Sequence, residues 1–411
     1  MIELSRHRKS FFFLVAGLVF TGTFLAIKFA SGYKIDLSTF SFRPTGLLVA
    51  TSTPDGAEVY VNGKLKSATN DTLSLAPDDY LIEIKKSGFI PWQKKVKIQK
   101  ELVVKTDANL FFSVPDLKPL TFTHVENPQL SPDGTRIVFS VPPAPATPSA
   151  TQNISADNEA GLWTIDLTDF LFGFGRSPKQ IAKSQLPGMD FTKSQYSWSP
   201  DSRQILVEFD TTLGKEEYLL DPSQFNQASA MVNIANTLPQ TMIKWQEEES
   251  LKKQTRLKRL PEKLQEILGD NTEGMVFSPD NTKILYTATA SAEIPEGLIS
   301  PVPAASSQKE ERNLNPKGVY VYDVKEDRNF LLPVQPSSSP AWLNTSRHLF
   351  WIEEDKVVAC EYDATNLITI YSGPFIKPHV FSAPGTNKLV ILSQLNLEKD
   401  SRPNLYSVSL R

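Results

Sequence analysis

Three copies of Ser-Pro-Asp set the frame for the whole chain: Ser131-Pro132-Asp133, Ser199-Pro200-Asp201 and Ser278-Pro279-Asp280. Each is followed by a small polar spacer and an apolar β-type run: Ile137-Val138-Phe139, Ile205-Leu206-Val207 and Ile284-Leu285-Tyr286. A second strand-like run ending in Asp comes later in each copy, at residues 161–166, 217–221 and 318–323. In such a phrase Pro fixes φ at the second turn position and Asp bonds nearby backbone, while the next residue, Gly134 or Asn281, tolerates positive φ. The repeating unit is therefore strand, turn, strand. Two degenerate copies follow. Aligning Trp198 with Trp342 sets Leu343-Asn344-Thr345 on the turn and Leu349-Phe350-Trp351 on the apolar run; Ala383-Pro384-Gly385 precedes Leu389-Val390-Ile391. The last two copies start 40 residues apart, at 343 and 383, close to the period of a four-stranded propeller blade. The earlier copies are more widely spaced, so those blades carry insertions. A repeated turn phrase makes these residues structural rather than a reaction centre.

A chain of 411 residues is long enough for two or three domains with real cores. Its 43 basic and 46 acidic residues leave a net charge of −3, which argues against a general nucleic-acid binder. A single cysteine, Cys360, excludes an intrachain disulfide. Thirty prolines gathered between apolar runs fit many short strands better than long helices.

Residues 1–10 are short and basic, with Arg6, His7, Arg8 and Lys9. From Phe11 to Ile27 the chain is uncharged and mostly apolar, about 25 Å long as a helix, and Phe29-Ala30 lengthens the run beyond Lys28. Lysine and arginine before the span place the N-terminus in the cytoplasm and the bulk of the chain outside it. A cleavable signal peptide is the competing reading. The run is longer than a usual signal core and no clean Ala-x-Ala follows, which favours a retained transmembrane signal anchor over residues 11–30. A buried core helix would leave the basic flank unexplained.

Residues 31–45 read as a linker. An all-β module follows over residues 46–114. Strand patterns meet at Pro54-Asp55-Gly56, and Asn62-Gly63 signals a tight hairpin. Next come Thr72–Leu75, a turn at Pro77-Asp78-Asp79, the alternating run Tyr80–Lys85, a turn at Ser87-Gly88 and strands from Trp92 to Val104. Pro54-Asp55-Gly56-Ala57, Val59-Tyr60-Val61-Asn62-Gly63, the run from Leu75 to Tyr80 and Gly88-Phe89 resemble, in order, the motifs of a PEGA domain. Asp55 stands for the family's Glu, and a turn Gly is missing between Leu75 and Tyr80. The resemblance implies a small β-sandwich of the kind found in prokaryotic surface proteins.

The repeats, over residues 117–411, are similar to TolB-type β-propellers, whose blades carry a Ser-Pro-Asp-Gly turn; Ser131–Gly134 is complete, whereas Ser202 and Asn281 replace Gly in later copies. Five or six blades are expected, with Thr121-Phe122-Thr123 as a strand that could close the ring. The resemblance implies a platform for other envelope proteins. Pro142–Ala160 and Ala290–Pro316 read as flexible loops. The insertion at about 241–269 differs. Leu251, Leu257, Leu260, Leu264 and Ile267 recur at roughly helical spacing, and Pro261 suits a helix start or break. One or two amphipathic helices lying over the propeller are expected there.

Lys252, Lys253, Arg256, Lys258, Arg259 and Lys263 form a candidate interaction patch for phosphate-rich wall polymer, anionic lipid or an acidic partner; the bland alternative is a solvated helix face balanced by Glu247, Glu248 and Glu249. Cys360 lies in an apolar strand and reads as packing, not as a nucleophile. His7, His124, His348 and His379 lack metal-ligand spacing, and Gly173-Phe174-Gly175 lacks the third glycine of a dinucleotide loop. No Gly-x-Ser-x-Gly elbow or hydrolase-sized domain accompanies the propeller. Asp133, Asp166, Asp201, Asp221, Asp280 and Asp323 recur at equivalent places, which suits turn and strand caps better than a catalytic cluster.

The expected protein is all-β: an N-terminal transmembrane helix, a small PEGA β-sandwich and a propeller with a helical insertion. No catalytic residue, cofactor or metal is expected. The leading function is a membrane-anchored extracytoplasmic scaffold that binds envelope proteins or cell-wall glycan, tied to the lipid bilayer through Phe11 to Ala30, with no nucleic-acid partner. The alternative is a carbohydrate-binding or carbohydrate-active protein with its site in the propeller funnel. Clustered carboxylates and exposed aromatics in the funnel would favour the alternative, and an apolar funnel the scaffold.

Overall fold

The computed structural model describes residues 3–30, 33–36, 41–143, 159–168, 177–184, 189–212, 214–300, 302, 306–335, 337–395 and 402–411. Most of the 142–160 segment, Gly173-Phe174-Gly175 and the His7 side chain lie outside the described residues. The chain forms two compact units: Met1–Phe111 with Pro301–Lys309, and Phe112–Ser300 with Glu310–Arg411.

The first unit opens with helix α1 (Glu3–Ala30), which contains an apolar window from Phe11 to Lys28 long enough to cross a membrane, with none of it buried. The expected linker is not featureless: β1 (Lys34–Asp36) and β2 (Ser41–Arg43) pair as an antiparallel hairpin. The strands that follow are β3 (Gly46–Ala50), β4 (Ser52–Thr53), β5 (Glu58–Val61), β6 (Lys64–Ala68), β7 (Asp71–Leu75), β8 (Asp78–Lys85), β9 (Trp92–Ile98), β10 (Val103–Lys105) and β11 (Ala108–Asn109). They build one sheet in the order β10-β3-β7, a second in the order β6-β5-β8-β9 and a short parallel pair of β4 with β11. Period-two alternation turns Leu48 and Ala50 of β3 toward Val59 and Val61 of β5, Ile82 and Ile84 of β8 and Trp92, Val96 and Ile98 of β9, and these form one buried core. Asp78 and Asp79, expected in a turn, instead begin β8, because Asp78 pairs with Ile98 and Asp79 with Lys97.

The second unit starts with β12 (Asp116–Pro119). Five repeated antiparallel sheets follow. The first is β13 (Glu126–Leu130), β14 (Arg136–Val141), β15 (Gly161–Asp166) and β16 (Lys179–Lys183). The second has three strands, β17 (Gln195–Trp198), β18 (Ile205–Thr211) and β19 (Gly214–Leu220). After helices α2 (Leu238–Leu257) and α3 (Glu262–Asn271) comes the third sheet. It uses β20 (Thr272–Phe277) and β21 (Lys283–Ala288); then, past the small pair β22 (Ala292–Glu293) and β23 (Asn313–Leu314), β24 (Val319–Asp323) and β25 (Arg328–Leu331) complete it. The fourth is β26 (Ala341–Trp342), β27 (His348–Glu353), β28 (Lys356–Glu361) and β29 (Ile368–Tyr371). The fifth takes β30 (Val380–Ala383), β31 (Lys388–Ser393) and β32 (Asn404–Ser409), with β12 on its outer edge.

This is the sheet order of a β-propeller. The outermost strand of the last sheet comes from the start of the unit, Asp116 pairing with Ser409 and Pro119 with Tyr406. The expected strand at Thr121-Phe122-Thr123 is not one; Phe122 is 85% exposed, and the pairing falls on 116–119. A single core joins residues of the first and fifth sheets, including Ile137, Phe139, Ile165, Val390 and Leu405.

Each Ser-Pro-Asp phrase is a hydrogen-bonded turn. The N–H of Gly134 donates to the Ser131 carbonyl at 2.8 Å, that of Ser202 to Ser199 at 2.9 Å and that of Asn281 to Ser278 at 2.8 Å; Ser346 and Leu343 repeat the bond at 3.1 Å in the fourth copy. The fourth turn residue has positive φ in all four: Gly134 72°, Ser202 62°, Asn281 58° and Ser346 57°. Serine is a poor choice for this backbone, and the reason it is used is a bond between sheets. The Asp133 N–H donates to the Ser202 Oγ at 3.1 Å and the Asp280 N–H to the Ser346 Oγ at 3.0 Å. Four residues before each serine, a tryptophan reaches the same neighbouring sheet: Trp198 Nε1 donates to the Gln129 carbonyl and Trp342 Nε1 to that of Val276.

The insertions need two corrections. Helix α2 has no buried residue, and Leu251 on it is 64% exposed; only α3 is amphipathic in fact, with Leu264 and Leu268 buried beside Leu260, Ile284 and Tyr286. Pro261 caps α3 and separates the two helices. The described residues of the 290–316 segment form a folded excursion rather than a loose loop, with Ala292 paired to Leu314 and Glu293 to Asn313. Ile294 and Leu314 are buried, and the Arg312 guanidinium donates to the carbonyls of Pro295 and Asp327 and faces the Asp327 carboxylate at 3.7 Å.

Candidate functional site

The aspartates that recur along the repeats are held by their own turns. The Oδ1 of Asp280 accepts from the Ser278 hydroxyl at 2.7 Å, the Thr282 N–H at 3.1 Å and the Thr282 hydroxyl at 2.8 Å, and Asp133 makes the same three bonds with Ser131 and Thr135. Asp166 and Asp221 accept from the N–H and hydroxyl two residues on, and Asp323 accepts from the N–H groups of Lys325 and Glu326 while pairing with Lys283 at 3.4 Å. Burial is the largest influence on Asp133, Asp201 and Asp280 and raises their pKa, but the turn's hydrogen bonds together outweigh it and hold all three carboxyls below the ordinary value.

A folded pKa depressed in this way contributes stability that is present above the unfolded value and lost as pH falls through the folded one. The urea midpoint of the protein is therefore expected to fall as pH drops below about 4. Asp280→Asn should flatten that dependence, and Asp280→Ala should cost about 1 kcal/mol at neutral pH through lost turn bonds. An unchanged acid limb in Asp280→Asn would remove this turn from the account.

The innermost strands of four sheets, β13, β20, β26 and β30, converge on a cavity of about 670 Å³. Pro132, Pro279 and Pro384 come from the turn phrases, and Phe277, Trp342 and Phe381 from the strands. One carboxylate, Asp133, and one cation, Arg256, are among its lining residues. Arg256 arrives from α2, with its guanidinium 5.6 Å from the centre of the Phe277 ring. Within the same helix Lys252 Nζ donates to the Pro200 carbonyl at 3.1 Å and pairs with Glu248 at 2.8 Å.

The expected basic patch is thus divided. All six side chains are exposed, but Lys252 and Arg256, one helical turn apart, reach the propeller at the Pro200 carbonyl and the Phe277 ring. Sequence reasoning picked out Arg256 as part of a charge run but did not connect it with a cavity; the signal was the second residue of four of the five turn phrases, Pro132, Pro279, Asn344 and Pro384.

Cys360 is fully buried, and burial, followed by Asp363 and Glu361, pushes its thiol well above the ordinary range. That is the opposite of what a nucleophile needs. His124 pairs with Glu126 at 3.2 Å and His348 meets the Thr345 hydroxyl, and among the described residues no three potential ligands gather as a metal site.

The fold and cavity define a class: an apolar N-terminal helix, a small β-sandwich and a propeller-type unit. Residues 45–111 match the model of the PEGA domain. No curated protein matches the chain. Among solved structures, the β-propeller domain of the Trilobed protease from Pyrococcus furiosus is similar at 12% identity and TM-score 0.21, covering 89% of this chain and 95% of that one. TolB from Acinetobacter baumannii is similar at 12% identity and TM-score 0.19, over 80% and 60% respectively. Oligogalacturonate lyase from Vibrio parahaemolyticus is similar at 9% identity and TM-score 0.24, over 81% and 86%. Likeness at these TM-scores adds nothing to what the sheet order establishes.

Proposed function

We propose that the protein is a membrane-anchored, extracytoplasmic binding scaffold of the cell envelope, whose propeller presents the cavity at its turn phrases to a protein partner. One observation carries this reading: the cavity lining is mostly apolar and proline-rich, with Arg256 as its cation. Such a surface suits a peptide or loop, whose apolar side chains it would desolvate and whose carboxylate Arg256 would meet. Glycoside hydrolysis asks for a pair of carboxylates, and Asp133 stands singly in the lining with its Oδ1 engaged by its turn. Trp342, an indole of the kind that stacks on sugars when exposed, is buried here and donates to the Val276 carbonyl. These features weigh against the carbohydrate alternative. The apolar helix α1 and the PEGA match support the anchored, extracytoplasmic placement.

The test is site-specific photocrosslinking in intact membranes. A photoreactive residue at Asn344, on the cavity, should yield a discrete protein adduct, and one at exposed Lys215 should not; Arg256→Glu should weaken the Asn344 adduct about tenfold or more. Absence of an adduct, together with saturable pelleting of the protein on protein-free wall polysaccharide, would replace the partner with a glycan.

A further inference from the structure

The membrane-side end of the first unit contains a cluster that the binding function does not use. Helix α1 runs to Ala30, and the Tyr33 N–H donates to the Lys28 carbonyl at 3.0 Å. The Lys28 Nζ lies 4.2 Å from the centre of the Tyr33 ring. From the other side, the turn between β9 and β10 carries Lys100, whose Nζ lies 5.4 Å from the centre of the same ring. Glu101, at φ 62°, accepts the Tyr33 hydroxyl at 2.9 Å and pairs with Lys100 at 3.5 Å. The Tyr33 hydroxyl chiefly, with Lys100 and Lys28 adding to it against some desolvation, holds the Glu101 carboxyl below the ordinary range. Two ammonium groups and one carboxylate thus surround one phenol ring and leave a net positive charge, and the Lys100 side chain is 53% exposed.

Lys28 is also the last residue of the apolar window. A lysine at that place extends to the headgroup layer, and an aromatic ring beside it has the position of an interfacial anchor. Tyr33 and Lys100, tied to Lys28 by the distances above, lie at the same depth.

We propose that Lys28, Tyr33 and Lys100 form a site for the phosphodiester of an anionic phospholipid headgroup, which seats the β9–β10 turn of the PEGA-type module on the membrane. The site rests on the reading of α1 as a membrane anchor. Glu101 orients the ring through its hydroxyl, and the two lysines meet the phosphate. A lysine close to an anionic surface contributes about fivefold in association.

The test uses the full chain in nanodiscs of phosphatidylcholine alone or with phosphatidylglycerol. Co-elution of the chain with the discs reports the anchor; hydrogen exchange of the amides of residues 99–102 reports the site. Phosphatidylglycerol should slow that exchange about fivefold, and Lys100→Gln should abolish the slowing while leaving thermal unfolding unchanged. Lys66→Gln, an exposed lysine on β6, should leave the slowing in place. Equal exchange in the two lipids, slowing that survives Lys100→Gln, or the same slowing from inorganic phosphate added to phosphatidylcholine discs would each overturn the lipid site. Chain that fails to enter the discs would overturn the anchor beneath it.

Discussion

Deleting residues 11–30 is expected to move the protein completely from the membrane pellet to the soluble fraction. Eleven large apolar side chains between Phe11 and Ile27 stand exposed, Phe20 at 78% and Leu18 at 68% among them. At about 0.3–0.6 kcal/mol each, their insertion favours the bilayer by about 3–7 kcal/mol. A single charge at the middle of the span, Leu18→Arg, should cost about 3 kcal/mol of that and release much of the protein. The measurement is partitioning after carbonate washing, with the apparent mass and the first residue of the mature chain determined on the same sample. Retention of the deleted form in the pellet would place the membrane attachment elsewhere. A mature chain beginning beyond residue 30 would make the helix a cleaved signal.

Asp327→Ala is expected to destabilise the propeller unit by about 2–4 kcal/mol, the cost of leaving two donors, the Tyr322 hydroxyl and the Gly297 N–H, without their acceptor. Asp327 is 4% exposed. Its carboxylate accepts the Gly297 N–H at 2.8 Å and the Tyr322 hydroxyl, and it faces Arg312, whose side chain is only 12% exposed. Removing the carboxylate leaves the Tyr322 hydroxyl and the Gly297 N–H without their acceptor, while Arg312 keeps Glu310 at 3.0 Å and the carbonyls of Pro295 and Asp327. Against a total stability of roughly 5–15 kcal/mol, the loss should shift the urea midpoint strongly and open the 290–316 excursion to protease. A shift below about 0.5 kcal/mol would mean that this excursion is the loose loop its composition suggests.

The contrast between that excursion and the turn phrases marks how far local pattern reaches. Ser131-Pro132-Asp133 and its copies were legible because the bonds that close each turn, from the Ser hydroxyl to the Asp carboxylate and from the fourth N–H to the Ser carbonyl, lie within a few positions, so the chemistry of the turn is written beside it. The apolar runs of β14, β18 and β21 were legible for the same reason: each is buried as a continuous block.

β12 was not legible. Asp116–Pro119 buries little side chain and becomes a strand only because distant backbone, β32, pairs with it. Helix α2 misled in the opposite direction, since leucines at helical spacing suggested a buried face and Leu251 points to solvent. Within the cavity, Arg256 and the turn prolines were visible singly; what the sequence could not convey is that the inner ends of four sheets meet there. Ser202 was read as a replacement for the turn glycine, whereas its hydroxyl, like that of Ser346 in the fourth copy, accepts a bond from the neighbouring turn.

The pairing of β12 with β32 fixes an order of events. A chain that folds as it emerges can complete the first four sheets as each hairpin becomes available, because their strands are near neighbours in sequence. The fifth must wait until residues 404–409 are through, and it then closes the longest loop in the unit, the slowest and entropically most costly step. Until that moment β12 waits with an unpaired edge, so the cell has a window in which an unfinished molecule can still be recognised and removed.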